Sequence, residues 1–95
     1  MDERDFYILA YDIGNDRRRA KIARLMESMG ARVQGSVFEA YLKADELESM
    51  LRRAKKIMKA QEDGLRVYPL CRACRAKVLT LGAGRLTEPP GLMIV

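Results

Sequence analysis

The chain has 95 residues, 48% of them hydrophobic and 33% charged, with Lys and Arg outnumbering Asp and Glu by 18 to 13. That length holds one core with no room for a second, and the composition is that of a soluble globular protein, not a disordered one. The +5 charge favours an anionic partner, and the absence of histidine excludes Ser-His, Cys-His and His-metal chemistry, leaving carboxylates, a metal, tyrosine and arginine for any hydrolysis.

No apolar run approaches the ~18 residues needed to cross a bilayer. The start, Met1-Asp2-Glu3-Arg4-Asp5, has neither the basic region nor the cleavage site of a secretory signal, so a cytoplasmic location with no membrane partner is expected.

Residues 6–11 are short, aromatic and β-rich, and read as a strand buried on both faces. Gly14-Asn15-Asp16 supplies a turn, with Asp16 favoured over Asn15 as helix N-cap. Ile22, Leu25, Met26 and Met29 then fall at i, i+3, i+4 and i+7, an amphipathic helix that Gly30 stops. Residues 32–42 are β-prone but too irregular for one strand, and Gly35-Ser36 divides them into two pieces at a bulge or bend. A second helix is predicted from Asp45, with Asp45 and Glu48 as a capping box and Leu47, Met50, Leu51, Ala54, Ile57 and Met58 as its apolar stripe. Its acids lie early and Arg52, Arg53, Lys55, Lys56 and Lys59 late, an order that suits the helix dipole. Residues 65–70 alternate as a strand that Pro69 either ends or places at an edge, and residues 78–81 read as a further short strand. The apolar end, Leu92 to Val95, follows a Gly- and Pro-rich stretch and calls for burial, on this domain or on a partner chain.

The order β-α-β-β-α-β with an extra C-terminal strand predicts an α+β, ferredoxin-like domain over residues 1–82, with two helices on one face of an antiparallel sheet. The other face needs a cover, and a second subunit of a homodimer is the simplest one. Residues 83–95 form an extension expected to pair with or pack on that subunit.

Asp12 ends the first strand, and a lone carboxylate there belongs at a solvent mouth. Two readings stand: it bonds the turn amides of Gly14 and Asn15, or it serves an anion site with a metal. Arg17, Arg18 and Arg19 oppose the helix macrodipole at roughly 0.3–1 kcal/mol each when exposed. Together with the helix-start amides they make a phosphate-binding surface, which Lys21 and Arg24 extend. Mg²⁺ commonly takes one or two protein carboxylates plus water and phosphate, and a two-fold dimer would bring a second Asp12. Arg32, Ser36 and Phe38 form a second group, in which Phe38 is core, interface or base-stacking and Ser36 meets phosphate or local backbone. Cys71-Arg72-Ala73-Cys74 lacks the further ligands a zinc site needs. The strand-then-helix setting of a redox pair is not expected there either, so the two cysteines read as small, semi-buried turn residues.

The strings FYILAYDI (residues 6–13), DRRRAK (16–21), RVQGSVFE (32–39) and RVYPLC (66–71) resemble the CRISPR-associated protein two family, the small partners of the CRISPR integrase, over residues 6 to about 82. The resemblance implies a ferredoxin-like homodimer whose C-terminal strand pairs with the partner's sheet. It also implies a metal-dependent endonuclease acting on single-stranded RNA or double-stranded DNA. By the same resemblance Asp12 is the metal ligand for Mg²⁺ or another divalent cation, and Tyr11, Arg19, Arg32, Ser36 and Phe38 match positions tied to activity or substrate contact. The family's second role needs no cleavage: the dimer bridges dimers of the integrase (CRISPR-associated protein one) and holds protospacer DNA. Arg17, Arg18, Lys21, Arg24 and the late part of the second helix are the expected DNA face. Gly35 stands where the family usually has a larger residue.

Overall fold

The computed structural model describes residues 4–89. In chain order it contains β1 (Asp5–Asp12), α1 (Asp16–Met29), β2 (Ala31–Gln34), β3 (Val37–Leu42), α2 (Ala44–Ile57), β4 (Gly64–Leu70) and a short α3 (Arg72–Ala76). The strands form one sheet in the order β2-β3-β1-β4 with every neighbouring pair antiparallel, which is the ferredoxin-like plan. Among the described residues no helix is long and apolar enough to cross a membrane.

Side chains alternate across a strand, and β1 uses this to divide its residues between two surfaces. Tyr7, Leu9 and Tyr11 join the core under the helices with Phe38, Ala40 and Leu42 of β3. Ile22 and Met26 of α1 and Met50 of α2 close that core, each with essentially no exposed surface. Burying side chains of this size stabilises by about 1.5–3 kcal/mol each. Gly30, at the end of α1, is held there by space: a Cβ would lie 2.3 Å from the Glu39 carbonyl oxygen and 2.8 Å from the Ala40 Cβ.

The second face of β1 departs from the expectation of burial on both sides. Phe6 is buried against Tyr41, but Ile8 and Ala10 are half-buried. Part of the cover comes from the chain itself. The Thr87 amide donates to Glu39 Oε1 at 2.9 Å, the Tyr41 hydroxyl donates to the Thr87 carbonyl at 3.0 Å, and Arg75 Nη1 donates to the Tyr41 oxygen at 2.7 Å.

Four local expectations change. Asn15, not Asp16, caps α1, its side chain accepting from the Arg18 amide at 2.9 Å. α2 starts at Ala44, and Glu46, in place of the Asp45–Glu48 pair, reaches back to the Lys43 amide at 2.8 Å. The turn expected at the cysteines is a helix, α3, and both thiols are exposed. Residues 78–81 are not a strand: Leu79 and Leu81 are 91% and 93% exposed, and among the described residues no strand pairs with them. The apolar end at residues 92–95 lies outside the described residues.

Candidate functional site

The hairpin between β2 and β3 turns at Gly35, whose φ of +37° lies in the left-handed region that favours glycine. The departure at this position therefore tightens the turn. It brings the Ser36 carbonyl to accept from the Tyr11 amide at 3.1 Å, so the ends of β1 and β3 are joined beside α1.

An open cavity of about 380 Å³ occupies that corner, lined by Tyr11, Asp16, Arg19, Arg32, Gly35 and Ser36 together with Ala20 and Ala23. Four expected site residues, from β1, α1, β2 and the hairpin turn, thus meet in one place. Arg19 is fixed by its own strand-to-helix turn, Nη1 donating to the carbonyls of Ile13 at 3.1 Å and Gly14 at 3.2 Å, while Nη2 pairs with Asp16. Arg32 lies with its guanidinium carbon 5.1 Å above the Phe38 ring and pairs with Glu27 at 3.3 Å. Phe38 has no exposed surface and stacks on Tyr11, ring centroids 6.2 Å apart. It supports Tyr11 and Arg32 from below and offers no face to a base.

Asp12 is not part of the lining. Consecutive strand residues point to opposite faces, so Tyr11 turns under the helices while Asp12 is exposed. Among the described residues its carboxylate makes no hydrogen bond, the turn amides of Gly14 and Asn15 included. A hard oxygen ligand suits Mg²⁺, but one carboxylate fits in kind and not in number. No group of three or more Asp, Glu, Cys or His side chains gathers for a metal among the described residues.

The helix-start arginines divide. Arg18 leaves the anion-binding set: Nε lies 2.7 Å from Asp63 Oδ2 and Nη2 lies 3.1 Å from Glu62 Oε1. Stability thus explains one arginine that helix position alone did not. Both carboxylates belong to the loop before β4, and nothing local in the sequence signals a pairing 45 residues away. Arg17, Lys21 and Arg24 recur at i, i+4 and i+7 as an exposed stripe. Lys21 and Arg24 also border an open groove of about 360 Å³ between the two long helices, with Arg53 of α2 on its other wall. One residue of the late basic cluster therefore joins the α1 stripe.

A four-stranded ferredoxin-like sheet with two helices on one face, and a corner holding two arginines where β1 ends, defines a class of small α+β domains. The family model for CRISPR-associated protein Cas2 matches residues 5–78, and the chain belongs to that family. A Synechocystis sp. protein named CRISPR-associated endoribonuclease Cas2 3 is 46% identical over 89 residues, covering 94% of this chain and 97% of its own. A Thermus thermophilus protein named CRISPR-associated endonuclease Cas2 2 is 46% identical over 82 residues, 86% of this chain and 87% of its own. Among solved structures, a hypothetical protein of Thermus thermophilus superposes with a TM-score of 0.79 at 44% identity, covering 90% of this chain and 100% of its own. A chain of a partial Cas6-RT-Cas1–Cas2 complex gives 0.72 at 32% identity, covering 81% of this chain and 90% of its own.

Proposed function

We propose that this chain is a nuclease subunit of the CRISPR adaptation machinery, hydrolysing phosphodiesters of RNA or DNA as a cytoplasmic homodimer that works with the CRISPR integrase. The observation that carries the reading is Asp12, an exposed carboxylate at the end of β1 that makes no hydrogen bond among the described residues and follows directly on Tyr11, which lines the corner holding Arg19 and Arg32. The relatives named endoribonuclease and endonuclease, and the neighbour drawn from a Cas1–Cas2 complex, support it.

Asp12 would hold Mg²⁺ or another divalent cation, with the partner subunit's Asp12, water and phosphate oxygens completing the shell. When bound, such an ion lowers the pKa of a coordinated water and offsets phosphate charge. The chain's own side chains orient the substrate. Arg19 and Arg32, both already fixed by hydrogen bonds or ring contact, present guanidinium groups to phosphate oxygens. Ser36 donates a hydroxyl to the same group, and Tyr11 forms the wall that excludes water. The dimer would form along the free edge of β4, with residues 77–82 supplying a strand and Leu79 and Leu81 its apolar contacts; the 83–95 extension then packs on the partner.

A second reading, a non-catalytic scaffold that bridges integrase dimers and holds double-stranded DNA, is favoured by the Lys21, Arg24 and Arg53 groove, which lies apart from Asp12. Asp12→Ala separates the two. Under the nuclease reading, Mg²⁺-dependent cleavage of single-stranded RNA and double-stranded DNA falls to background while DNA affinity and melting temperature hold. Unchanged cleavage would remove Asp12 from the reaction. Lost cleavage with undiminished spacer acquisition in cells would make the scaffold the biological role.

A further inference from the structure

Cys71 and Cys74 take no part in the site above, and their surroundings are not those of an ordinary turn. β4 ends at Leu70, Cys71 follows at once, and α3 begins at Arg72, so a strand runs directly into a helix start through a C-x-x-C pair. Cys71 caps that helix, its Sγ accepting a hydrogen bond from the Cys74 amide at 3.4 Å. Both thiols face solvent. The capping hydrogen bond already places the Cys71 sulfur 3.4 Å from the amide nitrogen of the residue that carries the second sulfur.

The two sulfurs are chemically unequal. The Cys74 amide donates to the Cys71 sulfur, and that bond, then the neighbouring Cys74 side chain, holds Cys71 below the usual thiol pKa. Cys74 is pushed up by its position beside that sulfur. A dithiol exchanging with a disulfide needs this division, one thiolate that attacks and a second thiol that resolves.

We propose that Cys71 and Cys74 form a redox-active dithiol that closes reversibly to an intrachain disulfide by exchange with a low-molecular-weight disulfide. The Cys71 thiolate attacks one sulfur of the external disulfide. That bond breaks, the expelled thiolate takes a proton from water, and a mixed disulfide remains on Cys71. Cys74 then gives its proton to solvent and attacks the Cys71 sulfur, which forms the Cys71–Cys74 bond and expels the second small thiolate, protonated in turn. The chain loses two electrons and two protons, and the external disulfide gains them as two thiols.

The test equilibrates the full chain in glutathione buffers of stepped oxidised-to-reduced ratio, quenches in acid, alkylates and weighs the intact protein. A species two hydrogens lighter that takes up no alkylating reagent is expected. It should be half-formed at an oxidised fraction at least about tenfold lower than a peptide of residues 70–77 requires. In single variants, Cys74→Ser should leave a Cys71 that alkylates at lower pH than the Cys74 left by Cys71→Ser. Half-formation at the peptide's ratio, disulfides between chains in place of the intrachain bond, or identical alkylation profiles for the two variants would each overturn the proposal.

Discussion

Arg18 and Asp63 join the start of α1 to the turn before β4 by two parallel hydrogen bonds, Nε to Oδ2 at 2.7 Å and Nη2 to Oδ1 at 3.2 Å. Asp63 also accepts from the Lys59 amide at 2.9 Å, so one carboxylate ties α1, the end of α2 and the start of β4. The Arg18 hydrogen bond, then the Lys59 amide, hold the Asp63 carboxyl below the ordinary carboxylate range. A folded-state pKa lower than the unfolded one contributes stability that is present above about pH 4 and lost as pH falls through the folded value. Asp63→Asn should therefore lower the urea midpoint at neutral pH and flatten the loss of stability below about pH 4. Parallel acid limbs for the two proteins would show that the pair does not set this pH dependence.

The same geometry separates the basic residues by role. Arg18→Ala should lower the melting temperature and leave the salt dependence of DNA binding nearly unchanged, since its guanidinium is committed to Asp63 and Glu62. Neutralising Arg17, Lys21 and Arg24 should do the reverse. Each lost phosphate contact reduces the slope of log K against log salt by about 1. Binding isotherms at several salt concentrations measure both, and an unaltered slope in the triple variant would take the α1 stripe off the DNA face.

Phe38 and Arg32 are in contact, yet their substitution should register in different assays. Phe38→Ala opens a cavity under the helices and is expected to cost about 3–5 kcal/mol, a large share of the roughly 5–15 kcal/mol that holds a domain folded. Arg32 is exposed, so Arg32→Ala should change stability little while weakening nuclease activity. Denaturant unfolding and cleavage rates measured on the same preparations separate the two. An Arg32→Ala protein as unstable as Phe38→Ala would mean the arginine belongs to the core.

Gly30→Ala tests a close backbone approach at the end of α1. The added methyl would meet the Glu39 carbonyl and Ala40 across the strand, and neither can move without shifting β3. Overpacking of this kind costs about 1–3 kcal/mol. Gly14→Ala, with open space around the added methyl, should be far milder, and thermal melts of the two variants give the comparison.

Much of the fold was legible in residue order. The spacing of Ile22, Leu25, Met26 and Met29 marked α1, and Gly35-Ser36 marked the hairpin that divides β2 from β3. Errors gathered where partners are distant or where two local groups compete for one place. Asn15 and Asp16 are both good caps, and the difference of one residue depends on where the strand releases the chain. Residues 78–81 have strand composition, but composition does not supply a neighbouring strand. The cysteines looked unlike a redox pair because α3, only five residues long, has too little apolar periodicity to announce a helix.

Residue types and their spacing determined the chemistry open to this chain: no imidazole, one carboxylate at a strand end, a surplus of arginine, and four short strings shared with one family. These are local properties, carried by each segment wherever it lies. The tertiary structure decided which of those groups meet. It gathered Tyr11, Arg19, Arg32 and Ser36 at one corner, sent Asp12 to the opposite face through the two-residue period of β1, and gave Arg18 to Asp63. Pairings of that kind depend on chain closure over tens of residues, and no local pattern encodes them.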